Sequence, residues 1–187
     1  ISNPNNPTGT MVDGEEIARF LQRVPAHVIT VLDEAYIELL PPAKQPDVVA
    51  HLRAGHKVVI LRTFSKTYGL AGLRVGYAIA SEECIQLLHR GRQPFNVTAL
   101  ALGAAEAARA DDRHVARTRT MVSRGLSYLG TAFKRMGLSY VPSVANFILV
   151  EVQSGRTVCQ ALEREGVIVR PMDGYGLPRH VRITVGT

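Results

Sequence analysis

The sequence predicts an α/β fold, part of a mostly parallel sheet in a large domain, followed by a small α+β domain. Three observations carry this. Short β-branched runs alternate with helical patterns through roughly the first half of the chain. Polar and charged residues cluster just past the ends of those runs. A long Ala- and Arg-rich helical stretch then precedes a denser mixture of strand and helix patterns. On this division, residues 1–96 form a first domain, 97–136 a helical connector and 137–187 a small α+β domain.

Each element has a local reason. Ile1–Thr10 (ISNPNNPTGT) is dense in turn formers and reads as a loop. Asp13 with Glu16 three residues on makes a capping-box pattern, and Ile17, Phe20 and Leu21 supply the apolar stripe of the helix that follows. Val28–Leu32 reads as a strand buried on both faces, stopped by Asp33-Glu34-Ala35-Tyr36. A loop with Pro41, Pro42 and Pro46 and an amphipathic stretch over Val48–Leu52 lead to a second apolar run, Val58–Leu61. That run ends in Arg62-Thr63-Phe64-Ser65-Lys66, and a turn at Gly69–Gly72 introduces a further strand over Arg74–Ala80. The helical region from Val97 to about Arg135 is interrupted near Asp111-Asp112. Beyond Gly137 the pattern predicts strands at Tyr140–Val152, Val167–Arg170 and Val181–Val185, with a helix over Thr157–Glu165 ended by Gly166.

Composition excludes several classes. With 187 residues, 46% hydrophobic and 20% charged, the chain is neither disordered nor fibrous. Cys84 and Cys159 stand far apart with no CxxC pair and no His at ligand spacing, which argues against a disulfide framework and against a metal site. The apolar runs fall short of the ~18 residues of a membrane span, and no basic-plus-apolar leader opens the chain. A soluble cytoplasmic protein with no membrane partner is therefore expected. The net charge of +6 would suit a nucleic acid. However, Arg109, Arg113 and Arg117, at i, i+4 spacing, carry no interleaved aromatics and read as a solvated helical face, so no nucleic-acid partner is expected.

Asn6, Asp33, Tyr36, Thr63, Ser65, Lys66 and Arg74 all fall near strand ends. Singly, each has an ordinary role as a turn former, cap or surface charge. Together they match the needs of pyridoxal 5'-phosphate: an amine, an acid for the ring nitrogen, donors to the ring oxygen and a cationic phosphate site. Lys66, flanked by Thr63 and Ser65 and followed eight positions later by Arg74, offers amine, hydroxyls and guanidinium on one local surface, and the intervening glycines allow close backbone approach.

The chain resembles the fold-type I aminotransferases of the histidinol-phosphate aminotransferase group. The matching segments are NPNNPTGT (Asn3–Thr10), DEAYIEL (Asp33–Leu39), RTFSKTYGLAGLRVGY (Arg62–Tyr77), QPFNVTALAL (Gln93–Leu102), ANFILVE (Ala145–Glu151) and VRPMDGYGLPRHVRITVGT (Val169–Thr187). They follow the family's order over essentially the whole chain, and the Ser-Lys block with its downstream arginine is the most specific. The resemblance implies that Lys66 bonds the cofactor and shuttles the substrate Cα proton, Asp33 pairs with the pyridinium, Asn6 and Tyr36 bind the ring oxygen, and Thr63, Ser65 and Arg74 grip the phosphate. It assigns Arg182 to the anionic end of the amino substrate. Arg170, twelve positions earlier, and Asn146 are further substrate-site candidates, each with an equally ordinary structural role.

The implied reaction transfers an amino group from a small-molecule donor to a 2-oxo acid, histidinol phosphate and 2-oxoglutarate in histidine biosynthesis, in a homodimer. Rival expectations are an aromatic amino-acid aminotransferase or a cofactor-dependent decarboxylase of an amino-acid phosphate. More distant ones are a non-catalytic nucleic-acid-binding protein and a regulatory domain that kept the scaffold without its chemistry. The family's upstream phosphate loop, ring-stacking aromatic and partner-donated tyrosine have no counterpart here, nor does its closing helix. The resemblance thus implies a fragment, with 1–96 the C-terminal half of the cofactor-binding large domain and 137–187 a truncated small domain, expected to be inactive and poorly stable alone because its sheet would expose an edge.

Overall fold

The computed structural model describes residues 1–186; Thr187, the last residue of the C-terminal motif, lies outside the described residues. Contacts divide the chain into two units, one made of Ile1–Pro4 and Val12–Arg119, the other of Asn5–Met11 and the chain from Thr120 onward. The division falls inside the expected connector, and most of the Asn/Pro loop groups with the C-terminal unit.

In the first unit, helix α1 (Gly14–Arg23) starts where the capping box predicts. The Asp13 carboxylate accepts from the Glu16 N–H at 2.8 Å, and the Glu16 carboxylate accepts from the Asp13 N–H at 3.2 Å. Ile17 and Leu21 are buried, whereas Phe20, on the rim of the stripe, stays 42% exposed. Strand β1 (Thr30–Asp33) pairs in parallel with β2 (Val58–Thr63), from Thr30↔Val58 to Asp33↔Leu61. Strand β3 (Gly76–Ile79) returns antiparallel beside β2, with Thr63 opposite Gly76. Ile17 and Leu21 of α1, Val48 of α2 (Val48–Arg53), and Leu32, Val58 and Ile60 of the sheet form one apolar cluster. Helix α3 (Glu82–Gly91), which has no counterpart among the sequence expectations, starts at the Ser81 cap and buries no residue.

Two features of this unit differ from expectation. The first predicted strand, Val28–Leu32, is observed only from Thr30 and is not buried on both faces. Thr30 and Leu32 face the α1/α2 cluster, while Val31 projects from the opposite side and is 43% exposed, as are Val28 and Ile29 before it at 39% and 50%. The opening loop also carries a β-bridge, since Ser2 pairs in parallel with Asp33 at the edge of β1.

The helical stretch is two helices, α4 (Ala99–Arg109) and α5 (Asp112–Arg135), broken where expected. Asp111 starts the second, accepting from the His114 N–H at 2.8 Å. Arg109 therefore belongs to α4 and Arg113 and Arg117 to α5, so the three do not share one helical face, though each is exposed.

The second unit holds an antiparallel sheet in the order β4-β5-β7-β6. Its strands are β4 (Tyr140–Val141), β5 (Phe147–Glu151), β6 (Arg170–Pro171) and β7 (His180–Thr184). Ile148, Val150 and Val181 pack with Phe133 of α5 and Cys159 of α6 (Gly155–Arg164). The strand expected over Tyr140–Val152 is split in two. The strand expected at Val167–Arg170 begins only at Arg170, because α6 ends in a glycine turn: Gly166 has φ +78°, and the Val167 N–H donates back to Leu162 O at 2.9 Å. That wrap uses Val167 as a cap and leaves Ile168 87% exposed outside the ladder.

Gly76 permits the tight β2–β3 approach. A Cβ there would lie 2.7 Å from the Arg62 carbonyl oxygen, which the ladder holds in place. Gly76→Ala should cost on the order of 1–3 kcal/mol, the range for overpacking a fixed site. Urea unfolding of the complete protein carrying this chain measures it, and an unchanged midpoint would contradict this pairing.

Candidate functional site

Parallel pairing of β1 and β2 brings the residues following both strands to one carboxyl edge. Asp33 ends β1 and is exposed; its Oδ1 accepts from the Ala35 N–H at 3.0 Å, an Asx turn that bends the chain away from the ladder. Tyr36 follows, buried, and leads into a 3₁₀ turn over Ile37–Leu39. On β2, the Thr63 Oγ1 accepts from the Ser65 N–H at 3.1 Å. The Lys66 carbonyl closes the next turn by accepting from the Gly69 N–H at 3.0 Å. Lys66 is exposed, with its Nζ 5.4 Å from the centre of the Tyr36 ring.

Arg74 reaches the same edge from the other neighbour of β2. It sits two residues before Gly76, the partner of Thr63, in a left-handed conformation (φ +52°) that ends the short turn Ala71–Leu73. Its Nη1 donates to Ala71 O at 2.8 Å. Of the sequence-predicted residues, the first unit thus holds Asp33, Tyr36, Thr63, Ser65, Lys66 and Arg74 at the ends of adjoining strands.

Beneath this edge lies a buried charge group that sequence reasoning did not single out. Glu34, with its side chain 3% exposed, accepts on Oε2 from Arg62 Nε at 2.9 Å and Nη2 at 2.8 Å. Burial raises the Glu34 carboxyl above the ordinary range, with Arg62 opposing it. Burial also works to lower Arg62, but the charges and hydrogen bonds of Glu34 and Tyr77 together outweigh it and the net shift is upward. Glu38 is 8% exposed and, among the described residues, no other residue hydrogen-bonds its carboxyl oxygens, while its main-chain oxygen accepts from Arg119 Nη2 at 3.0 Å and Nε at 3.3 Å. Burial pushes its carboxyl up as well. The available signal was that two glutamates, Glu34 and Glu38, follow Asp33 within the mostly apolar segment DEAYIEL.

In the second unit, Arg182 on β7 donates from Nη1 to Asn6 Oδ1 at 2.6 Å, and its guanidinium carbon lies 4.8 Å from the centre of the Phe147 ring. Its Nε is buried without a partner. Arg170 is the direct cross-strand partner of Arg182. Like charges opposite each other are unfavourable in an antiparallel pair, and among the described residues neither arginine is ion-paired. The arrangement suits an anion. Asn146 stands just before β5 and uses its main-chain oxygen to accept from the Val185 N–H at 2.8 Å. Asn6 therefore groups with Arg182, and Tyr36 with Lys66, in different units.

The family profile described as "Aminotransferase class I and II" matches residues 1–187. The chain belongs to this family. It is 52% identical to histidinol-phosphate aminotransferase 1 of Nitrosococcus oceani over 187 residues, all of this chain and 50% of that protein. It is 50% identical to histidinol-phosphate aminotransferase 2 of Pasteurella multocida, again over the whole chain and 51% of the relative. The chain thus spans about half the length of the curated relatives it matches. The crystal structure of the Sinorhizobium meliloti histidinol-phosphate aminotransferase in complex with pyridoxal-5'-phosphate superposes with TM-score 0.87 at 29% identity, covering 100% of this chain and 52% of that one. The L-threonine-O-3-phosphate decarboxylase of Porphyromonas gingivalis does so with TM-score 0.87 at 27% identity, covering 100% and 58%. The membership supports the α/β reading and the aminotransferase class. No helix among the described residues is long and apolar enough to cross a membrane.

The Glu38 carboxyl gives a signed pH dependence. Burial raises its pKa in the fold, so the favourable contribution of the protonated form is complete below the ordinary glutamate value of about 4.3 and is lost as pH rises through the raised folded value. Glu38→Gln removes this loss. The stability difference, variant minus wild type, should rise with pH from near zero at about pH 4 to roughly 1–3 kcal/mol, the cost of a buried unpartnered polar group. Thermal unfolding of the complete protein at a series of pH values checks it; a difference that shrinks with pH contradicts it.

Proposed function

We propose that the complete protein carrying this chain is a pyridoxal-phosphate-dependent aminotransferase acting on histidinol phosphate and 2-oxoglutarate. The observation that carries the reading is Lys66, exposed at the shared carboxyl edge with its Nζ beside Tyr36, on a chain of the aminotransferase family. Half identity along its whole length to histidinol-phosphate aminotransferases supports the substrate.

The donor set fits the cofactor. One strand-end surface of the first unit carries an amine, a carboxylate, two hydroxyls and a guanidinium; taken by itself, the second unit carries an amide and paired arginines. When bound, pyridoxal phosphate supplies the carbonyl carbon that takes up the amino group and a ring that draws electron density from the substrate Cα. Lys66 would hold the group through its amine and would move the proton at the substrate Cα. Asp33, anchored by the Ala35 N–H, presents a carboxylate to the ring nitrogen. Tyr36 and Asn6 bind the ring oxygen. Thr63, Ser65 and Arg74 hold the phosphate, Arg74 as a fork suited to its oxygens. Arg182 and Arg170 bind the anionic end of the amino substrate, which relieves their mutual repulsion, with Asn146 beside them. A cytoplasmic homodimer completes the reading.

The likeness to a threonine-phosphate decarboxylase supports a second reading, decarboxylation of an amino-acid phosphate. Assays of the complete protein with histidinol phosphate, phenylalanine and threonine phosphate separate them. Amino transfer from histidinol phosphate to 2-oxoglutarate should be preferred; preference for phenylalanine or release of carbon dioxide from threonine phosphate overturns the first choice.

Two variants test the roles. Lys66→Ala should abolish the absorbance of lysine-bound cofactor and lower kcat by about 10²–10⁴-fold, the range for a lost proton-transfer group. Arg182→Ala should raise KM for the amino donor by about 10- to 100-fold, the loss of hydrogen bonds to a charged group. A surviving absorbance band contradicts the lysine assignment, and an unchanged KM contradicts that of Arg182.

A further inference from the structure

The regular β1–β2 ladder ends at Asp33↔Leu61, and beyond it one more main-chain bond, from the Glu34 N–H to Leu61 O at 2.9 Å, links the two chains. Tyr36 lies three residues past the ladder on one side and Lys66 five residues past it on the other. The approach of Lys66 Nζ to the Tyr36 ring is therefore set by contacts beyond the ladder.

The Glu34–Arg62 pair is placed to be such a contact. Glu34 is two residues before Tyr36, and Arg62 four residues before Lys66. Two donors of one guanidinium, at 2.9 and 2.8 Å, converge on a single oxygen, which holds that oxygen in the fork of the guanidinium. The carboxylate is almost wholly buried, so water competes little for either partner. Stability by itself does not call for such a pair, because well-packed apolar side chains in the same volume generally serve as well. What an apolar pair would lack is directional fixation of the turn against the strand.

We propose that the Glu34–Arg62 pair is a positioning element that orients the Tyr36 turn against the strand bearing Lys66 and so sets where the Lys66 amine stands. The importance of that position rests on the reading of Lys66 as the cofactor-binding lysine, whereas the placement itself is a property of the chain alone. Arg62→Lys keeps the charge but loses the fork. Glu34→Gln keeps the oxygen acceptor, and Glu34→Leu with Arg62→Met replaces the pair by apolar groups of similar volume.

The test is NMR of the complete, cofactor-free protein with lysine labelled at Cε, the Lys66 signal assigned with Lys66→Ala. The Tyr36 ring should displace the Lys66 ε-methylene protons upfield of the other lysines. Arg62→Lys and the apolar double variant should lose more than half of this displacement at temperatures where circular dichroism shows them folded, and Glu34→Gln should retain most of it. A wild-type Lys66 signal without upfield displacement, or a displacement that survives in the double variant, overturns the proposal. Pyridoxal phosphate uptake is titrated separately by absorbance: a displaced Lys66 signal in a protein that takes up no cofactor refutes the functional reading and leaves the positioning role standing.

Discussion

Four residue pairs, from Thr30 with Val58 to Asp33 with Leu61, hold β1 beside β2, and the chemistry of the first unit depends on that parallel ladder. Because both strands run the same way, both release their polar continuations at one edge. An antiparallel pairing would have sent the Asp33 turn and the Lys66 turn to opposite ends of the sheet. The ladder is held from below by Leu32, Val58 and Ile60 against α1 and α2, so apolar burial on one face positions charges at the edge. β3 then returns beside β2 through a close contact that only Gly76 allows, and so brings in Arg74.

The second unit solves a different problem with the same economy. An antiparallel register sets Arg170 opposite Arg182, a juxtaposition of like charges that is unfavourable by itself and that the proposed substrate anion would relieve. Arg182 is already oriented: Phe147 lies against its guanidinium and Asn6 accepts from it. A side chain already ordered loses less freedom on binding, the general advantage of preorganisation.

Much of this was legible in the residues, and the exceptions have physical causes. Asp13 and Glu16 announced the start of α1 because capping is a local hydrogen-bond problem with few solutions. Lys66, Asp33 and Arg74 stood out because their types meet one chemical need at strand ends. The burial of Val28–Leu32 was misjudged because an apolar run shows that a strand forms but not which of its faces is covered. The strand at Val167 was misjudged because the glycine turn ending α6 takes Val167 as a cap. Glu34 and Glu38 went unnoticed because acids read as surface residues until the fold shows them buried. The pairing of Arg170 with Arg182 needed a strand register, which residue spacing does not contain.

The central claim is that Lys66 is the residue that binds the cofactor. The chain offers four lysines, Lys44, Lys57, Lys66 and Lys134, so the claim can be decided by location. Borohydride trapping of the complete protein with pyridoxal phosphate, followed by peptide mass spectrometry, is the direct measurement. One reduced phosphopyridoxyl group per chain is expected, on Lys66; a label spread over Lys44, Lys57 and Lys134, or absent from Lys66, would contradict this assignment.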